Sequence, residues 1–260
     1  MKTALITGAS SGIGESFAWR LAARGENVVL VARSEAKLAA LAGELNQRHH
    51  IAAEYVALDL TKPDASISLF DETERRGLQV ETLINNAGFG STGDFARFEL
   101  ERELEMIDLN IKALVALTFR YLRLMRERRS GRIINVASTA AFQPVPYMAT
   151  YAATKAFVLS FSEALWEENR AFGVQVMALC PGVTDTNFFE TAKSKRPPGR
   201  IMQTSDEVVD AAFKGLERRQ SHIISGWPNY LLTQSERLVP RSLIARLIGR
   251  VMRPHNGIQT

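Results

Sequence analysis

The sequence predicts an α/β protein built on one mostly parallel, seven-stranded sheet with helices on both faces. Short β-branched, apolar runs alternate with longer stretches of helical periodicity through residues 1–190, an order typical of βαβ units. The short runs are continuously apolar, which indicates strands buried on both faces. A chain of 260 residues that is 46% hydrophobic and 23% charged is globular in character, which excludes intrinsic disorder.

The strand candidates are residues 4–7, 27–32, 53–58, 81–85, 132–137, 174–179 and 222–225. Between the second and third, Leu38, Leu41 and Leu45 recur at spacings of three and four, which predicts an amphipathic helix over residues 34–48. Acidic residues begin a second predicted helix at 99–108, and the sequence from Thr204 to Glu207 predicts a capping box before a later one.

Charge and cysteine content limit the functional classes. Residues 1–190 carry 20 Lys and Arg against 23 Asp and Glu, whereas residues 191–260 carry 12 against 5, so the core gives no support for nucleic-acid binding. The single cysteine, Cys180, excludes an internal disulfide framework and a Cys-rich zinc module, and we expect it to be buried without a catalytic task. No signal-peptide core or run of ~18 apolar residues is present, so we expect a cytoplasmic protein.

A glycine-rich turn follows the first strand. Its spacing is G-x-x-x-G-x-G, from Gly8 through Gly12 to Gly14, and a helical stretch begins at once. Gly8 can form the tight turn, Gly12 can admit a pyrophosphate to the backbone, and Gly14 can let the helix pack on the strand. Such a cluster by itself also serves turns that bind no ligand.

Further motifs follow in order: Asn85-Asn86-Ala87-Gly88 after the fourth strand, Asn110 in a helix, Ser138 after the fifth strand, Tyr151-x-x-x-Lys155, and Pro181-Gly182 with Thr186 after the sixth. With them the chain resembles the short-chain dehydrogenase/reductase family over roughly residues 1–190. The resemblance implies a three-layer Rossmann-type fold in a single domain, residues 1–260. It also implies a substrate loop at 187–204, a variable helical extension at 227–260, and a homodimer or homotetramer.

The resemblance assigns a catalytic set of Asn110, Ser138, Tyr151 and Lys155, and no metal. Tyr151 would exchange a proton with the substrate oxygen, and because a phenol with a pKa of ~10 is a poor acid–base group at neutral pH, it needs a neighbouring cation such as Lys155. Ser138 would hydrogen-bond the same oxygen, and Asn110 would hold a relay water. Without the resemblance, an exposed Tyr–Lys helix pair, a turn serine and a helix-end asparagine are the alternatives.

The cofactor expected is NADP(H). Ala32 stands where NAD-preferring relatives have an acidic residue, and Arg33 follows, whose guanidinium can bind the 2′-phosphate with help from Ser10 or Ser11. A solvated arginine at a helix start is the alternative. The resemblance completes the cofactor site with Gly8, Ser10, Ser11, Gly12, Ile13, Gly14, Arg33, Asp59, Leu60, Asn86, Ala87, Gly88, Tyr151, Lys155, Pro181, Gly182, Val183, Thr184 and Thr186.

Substrate recognition is assigned to residues 139–148, to the loop after Thr186 and to the basic tail. Phe142, Phe188 and their apolar neighbours predict a lipophilic carbonyl compound, such as a 3-oxoacyl or steroid-like ketone. Lysines and arginines at 193–200 could meet an acidic carrier, although a solvated loop is favoured. The basic amphipathic stretch 241–253 could contact a membrane, but docking on its own domain or another subunit is favoured. The sequence thus favours an NADP-dependent oxidoreductase over a non-catalytic NADP-binding redox sensor.

Overall fold

A computed structural model describes residues 3–192 and 202–253. Its seven strands form one parallel sheet in the order β3-β2-β1-β4-β5-β6-β7, which confirms the predicted fold class. The strands are β1 (Thr3–Thr7), β2 (Asn27–Ala32), β3 (Ala53–Ala57), β4 (Val80–Asn85), β5 (Gly131–Val136), β6 (Val174–Cys180) and β7 (His222–Ile224).

Helices connect the strands and cover the sheet. They are α1 (Gly12–Ala22), α2 (Glu35–His49), α3 (Ala65–Arg75), α4 (Leu100–Ile107), α5 (Leu114–Glu127), α6 (Ala149–Asn169), α7 (Phe188–Thr191), α8 (Ser205–Glu217), α9 (Trp227–Ser235) and α10 (Arg241–Met252). The capping box that precedes α8 is confirmed, because Glu207 N donates to Thr204 Oγ1 at 3.2 Å and Thr204 N donates to Glu207 Oε2 at 2.8 Å.

The inner strands β1, β2, β4, β5 and β6 are buried on both faces of the sheet, as their composition predicts, whereas the edge strands β3 and β7 are only partly buried. Ile6 of β1 packs with Phe17 of α1 on one face of the sheet. The preceding residue, Leu5, packs with Leu69 of α3 on the other face. Successive side chains of a strand point to opposite faces, so a strand between two helical layers must be apolar throughout.

The strand order places a crevice at the centre of the sheet. Strands β2 and β3 are added on one side of β1, and strands β4 to β7 are added on its other side. The helices that follow β1 and β4 therefore lie on opposite faces of the sheet, which leaves a crevice between these two strands. In open α/β sheets, ligands bind at the carboxyl ends of the strands in such a crevice. All the predicted site motifs follow strand ends or lie on the helices beside them.

The C-terminal helix α10 packs on its own chain mainly through Ile244, while Leu247 and Val251 are exposed. None of the helices in the described ranges is long and apolar enough to cross a membrane. Of the predicted substrate loop, residues 188–191 form the short helix α7, and the basic residues Lys193, Lys195, Arg196 and Arg200 lie outside the described residues.

Candidate active site

The carboxyl ends of β1 and β4 are held together by two polar side chains. Thr7 Oγ1 accepts hydrogen bonds from Asn86 N and Ala87 N, both at 2.9 Å, and Asn86 Nδ2 donates to the carbonyl oxygens of Thr7 at 2.9 Å and Gly8 at 3.2 Å. The predicted Asn86 therefore fixes the glycine turn from the neighbouring strand. Thr7 begins the glycine motif in the sequence, at the strand end directly before Gly8, but the sequence alone assigns it no role.

The glycine turn is shaped as an anion-binding cradle. Gly8 has a φ of +65°, which favours glycine, and a Cβ on Gly14 would overlap the Gly8 carbonyl oxygen, so α1 packs directly against the turn. Ser11, which precedes α1, makes no capping hydrogen bond with its side chain in the described structure. The first N–H groups of α1 therefore remain available to an anion, as a pyrophosphate requires.

Gly12 also lies against Thr186, a contact that the sequence does not indicate. A Cβ there would lie 2.8 Å from Thr186 Cγ2, so the missing side chain lets the segment after β6 approach the turn. Gly12 and Thr186, 174 positions apart in the numbering, thus border the same space.

Arg33 and Asp59 lie close together at the ends of β2 and β3. Burial of the Asp59 carboxyl acts to raise its pKa, but hydrogen bonds from Thr61 and the positive charge of Arg33 lower the pKa below its usual value. Thr61 donates to Asp59 Oδ1 from its backbone N–H at 3.0 Å and from its hydroxyl at 2.9 Å. Leu60 is buried in the core beside this pair.

Tyr151 and Lys155 occupy successive turns at the start of α6, facing Ser138 at the end of β5. Lys155 is 6% exposed, its Nζ donates to the Val136 carbonyl oxygen at 2.7 Å, and this Nζ lies 5.8 Å from the centre of the Tyr151 ring. The pair is therefore not an exposed helix pair, the alternative that spacing alone had left open.

Burial moves both pKa values toward the neutral forms. It raises the pKa of Tyr151 to about 12, although a hydrogen bond with Ser138 acts to lower it, and it lowers the pKa of Lys155 to about 8. The sequence predicts that Lys155 favours the phenolate. In the structure, burial is the main influence on the pKa of Tyr151, and the neighbour that lowers this pKa is Ser138.

Asn110 lies in a π-helical segment, Asp108–Ala113, between α4 and α5, and not at a helix end. Its Oδ1 accepts from Phe89 N at 3.1 Å, and its Nδ2 donates to Phe89 O and to Thr154 Oγ1, both at 3.0 Å. A Cβ on Gly88 would lie 2.8 Å from Asn110 Oδ1 and 3.5 Å from Lys155 Nζ, so the asparagine and lysine border the same small space. Short π-helical segments often occur at functional sites.

The segment after β6 is held by a residue that the sequence did not indicate. Gln203 N donates to Val183 O at 2.9 Å, and Asp185 N donates to Gln203 O at 2.8 Å, so Gln203 pairs alongside Thr184. Pro181 O accepts from Thr139 N at 2.9 Å, and Gly182 packs directly against Asn229 of α9. Cys180 is fully buried, and burial raises the pKa of its thiol.

The predicted apolar substrate wall divides into two parts. Phe188 of α7 lies over Tyr151 with ring centres 5.2 Å apart, and Gly90 fits against both rings. Phe142 instead packs against the core cluster beneath α6, so it supports the fold.

Fold and site together define an oxidoreductase of the dinucleotide-binding type. The family model for short chain dehydrogenases matches residues 2–197, so the chain belongs to that family.

Relatives whose names state an activity match most of the chain. It is 33% identical over 229 residues to a 7beta-hydroxysteroid dehydrogenase of Collinsella aerofaciens, covering 86% of each protein. It is 32% identical over 238 residues to a very-long-chain 3-oxoacyl-CoA reductase of Macaca fascicularis, covering 86% of this chain and 73% of the relative. Among solved structures, a Sphingobium yanoikuyae short-chain dehydrogenase in complex with NADPH superimposes with a TM-score of 0.84 at 33% identity, covering 100% of this chain and 99% of that one.

Proposed function

We propose that this protein is an NADP(H)-dependent oxidoreductase that interconverts a ketone and a secondary alcohol, with Tyr151 as the acid–base group. The observation that carries the proposal is the convergence of Asn110, Ser138 and the Tyr151–Lys155 pair, which come from three separate segments of the chain and meet beside the carboxyl ends of β4 and β5. A half-buried tyrosine, paired with a serine and followed by a buried lysine, is suited to proton transfer at a polarised oxygen.

The residues of the cradle fit a nicotinamide dinucleotide. The glycine turn and the first N–H groups of α1 would hold the pyrophosphate, Lys155 would bind the nicotinamide ribose, and the backbone of residues 183–186 would hold the carboxamide. When bound, the cofactor supplies or accepts a hydride at C4 of its nicotinamide ring. Asp59 and the Asn86–Gly88 segment would border the adenosine.

The protein's own groups would act on the substrate oxygen. In the reducing direction, the Tyr151 hydroxyl donates its proton to that oxygen while the Ser138 hydroxyl donates a hydrogen bond to it. In the oxidising direction, the Tyr151 phenolate accepts the proton. Asn110, fixed by Phe89 and Thr154, would position the group that returns a proton by way of Lys155.

Preference for NADP(H) is supported by Arg33, because a guanidinium binds the 2′-phosphate that a carboxylate would repel. The Sphingobium yanoikuyae neighbour is a complex with NADPH. Substitution Arg33→Asp is therefore expected to raise the KM for NADPH by on the order of tenfold or more, since it removes a charge-assisted hydrogen bond and adds repulsion. Initial-rate kinetics measure this, with Arg48→Asp near the other end of α2 as the matched control. An unchanged KM for NADPH in Arg33→Asp would contradict the assignment.

A lipophilic substrate is supported by the aromatic cover that Phe188 places over Tyr151. The names of the relatives, a 7beta-hydroxysteroid dehydrogenase and a very-long-chain 3-oxoacyl-CoA reductase, indicate substrates that have a large apolar part. Location in the cytoplasm and assembly as a homodimer or homotetramer stay predictions.

The decisive test is Tyr151→Phe, which removes one hydroxyl and leaves the aromatic packing against Phe188. Turnover of a panel of ketones, 3-oxoacyl thioesters and hydroxysteroids is measured by the change in NADPH absorbance. In Tyr151→Phe we expect turnover to fall by at least ~100-fold while NADPH binding persists. Tyr55→Phe on β3 is the matched control and should retain activity. If the unmodified protein binds NADPH but turns over no member of a broad panel, the proposal is wrong and a non-catalytic NADP-binding protein is favoured.

A further inference from the structure

A groove between α10 and two loops on the substrate side contains none of the proposed catalytic or cofactor-binding residues. Its volume is about 420 Å³. Phe95, Pro146 and Tyr147 line one side, and Arg246, Arg250 and Arg253 line the other. Phe95 is 60% exposed, so the groove has an aromatic wall open to a ligand.

The charge of the groove is positive. A spacing of four places Arg246 and Arg250 on one face of α10, Arg253 follows directly after the helix ends, and the helix contains no acidic residue. Within the described ranges, Arg246 and Arg250 have no carboxylate within ion-pairing distance, whereas Asp94, which also lines the groove, pairs with Arg97 at 3.7 Å. Converging guanidinium groups repel one another, so an anion between them would be stabilised.

The groove lies near the proposed reaction centre. Gly90 packs against Tyr151, and three residues later Gly93 N donates to Tyr147 O at 2.8 Å, at the edge of the groove. Three residues of extended chain span at most about 11 Å. A ligand whose carbonyl lies at Tyr151 therefore reaches the edge of the groove if its body is about that long, and a somewhat longer ligand extends towards the arginines on the far side.

The backbone at Tyr147 is also unusual. This residue has a φ of +67°, a left-handed conformation that costs a non-glycine residue energy and must be held by its surroundings. The hydrogen bond from Gly93 N to Tyr147 O is one contact that holds this loop, and both residues line the groove.

We propose that this groove binds the anionic group of an amphipathic substrate whose carbonyl or alcohol carbon lies at Tyr151. The inference rests on the proposed function and narrows its substrate class to lipophilic oxo or hydroxy compounds with an acidic group roughly 10–15 Å from the reacting carbon. A carboxylate of the substrate itself and a phosphate of a carrier thioester share this chemistry. Phe95 and Pro146 would contact the apolar body that joins the two ends.

The test compares 12-oxooctadecanoic acid with its methyl ester, which differ in the terminal charge, and adds a 3-oxoacyl coenzyme A thioester. In the full-length protein with NADPH, Arg246→Gln/Arg250→Gln is expected to raise the KM for the acid on the order of tenfold, because hydrogen bonds to a charged group are lost, with kcat and the ester kinetics little changed. Arg241→Gln, at the start of the same helix and outside the groove, is the matched control. If the double variant raises the KM only for the acid, the group bound in the groove is a carboxylate of the substrate. If it raises the KM only for the thioester, the group bound is a phosphate of the carrier.

Two further measurements distinguish failure of the groove assignment from failure of the proposed function. Ester turnover by the double variant reports that the variant is folded and active, and calorimetric binding of the acid reports on the groove without turnover. If the unmodified protein binds the acid through the arginines but reduces none of the compounds, the proposed function fails while the groove assignment stands. If the two glutamines change neither binding nor KM for any anionic compound, the groove assignment is overturned. For the unmodified protein, added salt should raise the KM for the acid and not for the ester.

Discussion

Lys155 is buried and Tyr151 is half-buried, and both surroundings disfavour the charged form of the side chain. The pKa of the tyrosine is raised to about 12, which favours the phenol, and the pKa of the lysine is lowered to about 8, which weakens its hold on a proton. Ser138 is the neighbour that acts against burial at the tyrosine. The effect of Ser138 on the pKa of Tyr151 can therefore be measured, by the pH dependence of the reaction, separately from its hydrogen bond to the substrate.

Replacement Ser138→Ala is expected to move the alkaline dependence of alcohol oxidation to higher pH. Oxidation needs the Tyr151 phenolate, so its kcat rises as pH passes the tyrosine pKa, and loss of a hydrogen bond that lowers this pKa shifts the rise upward by roughly one pH unit. The pH profile of kcat measures the shift. Ser34→Ala serves as the control, because the Ser34 side chain makes no capping hydrogen bond at α2. An unshifted profile with only a lower maximum would mean that Ser138 acts on the substrate alone.

At the scale of elements, the junction of β1 with α1 brings the cradle together. The helix packs so closely on the turn that Gly14 has no room for a side chain beside the Gly8 carbonyl. Gly43, on the open face of α2, has no atom within 4 Å of the position a Cβ would take. The two helical glycines thus differ in packing and share the same intrinsic helix propensity.

Gly14→Ala is expected to lower the unfolding free energy by on the order of 2 kcal/mol and to weaken NADPH binding, because α1 must move away from the turn. Gly43→Ala should instead leave stability unchanged or raise it by up to about 1 kcal/mol, since alanine is the better helix former. Denaturant unfolding and NADPH titration of both variants measure these effects. Equal behaviour of the two variants would show that α1 is free to shift.

The features of this fold that the sequence predicts are those determined by residues close together in the chain. Apolar strand runs and the capping box at Thr204 are local patterns, and the structure has both. Gln203 beside Val183, and Phe188 over Tyr151, depend on chain segments that meet only after folding, and their residue types carry no local signal. The raised pKa of Tyr151 was missed for the same reason, because burial is a property of the assembled site.

At the scale of the whole molecule, one face of the sheet carries helices with exposed apolar side chains. Leu114 of α5 and Val158 of α6 share a core cluster, so these helices are neighbours, and Phe119 and Phe157 on their outer surfaces are 59% and 40% exposed. Leu104 on α4, which packs against α6, is also exposed. An apolar patch on adjacent helices is typical of an interface between subunits.

We therefore expect the chain to assemble through α5 and α6, and the double substitution Phe119→Glu/Phe157→Glu to break that assembly. Two buried carboxylates at each copy of a symmetric interface would lie close to their own symmetry mates and lose hydration, which disfavours association. Sedimentation velocity should show the unmodified protein at a multiple of 28.9 kDa and the variant at a lower mass. Ile67→Glu, on the exposed side of α3, is the control and should keep the larger mass. An unmodified protein that sediments as a monomer, or a variant of unchanged mass, would contradict an interface on these helices.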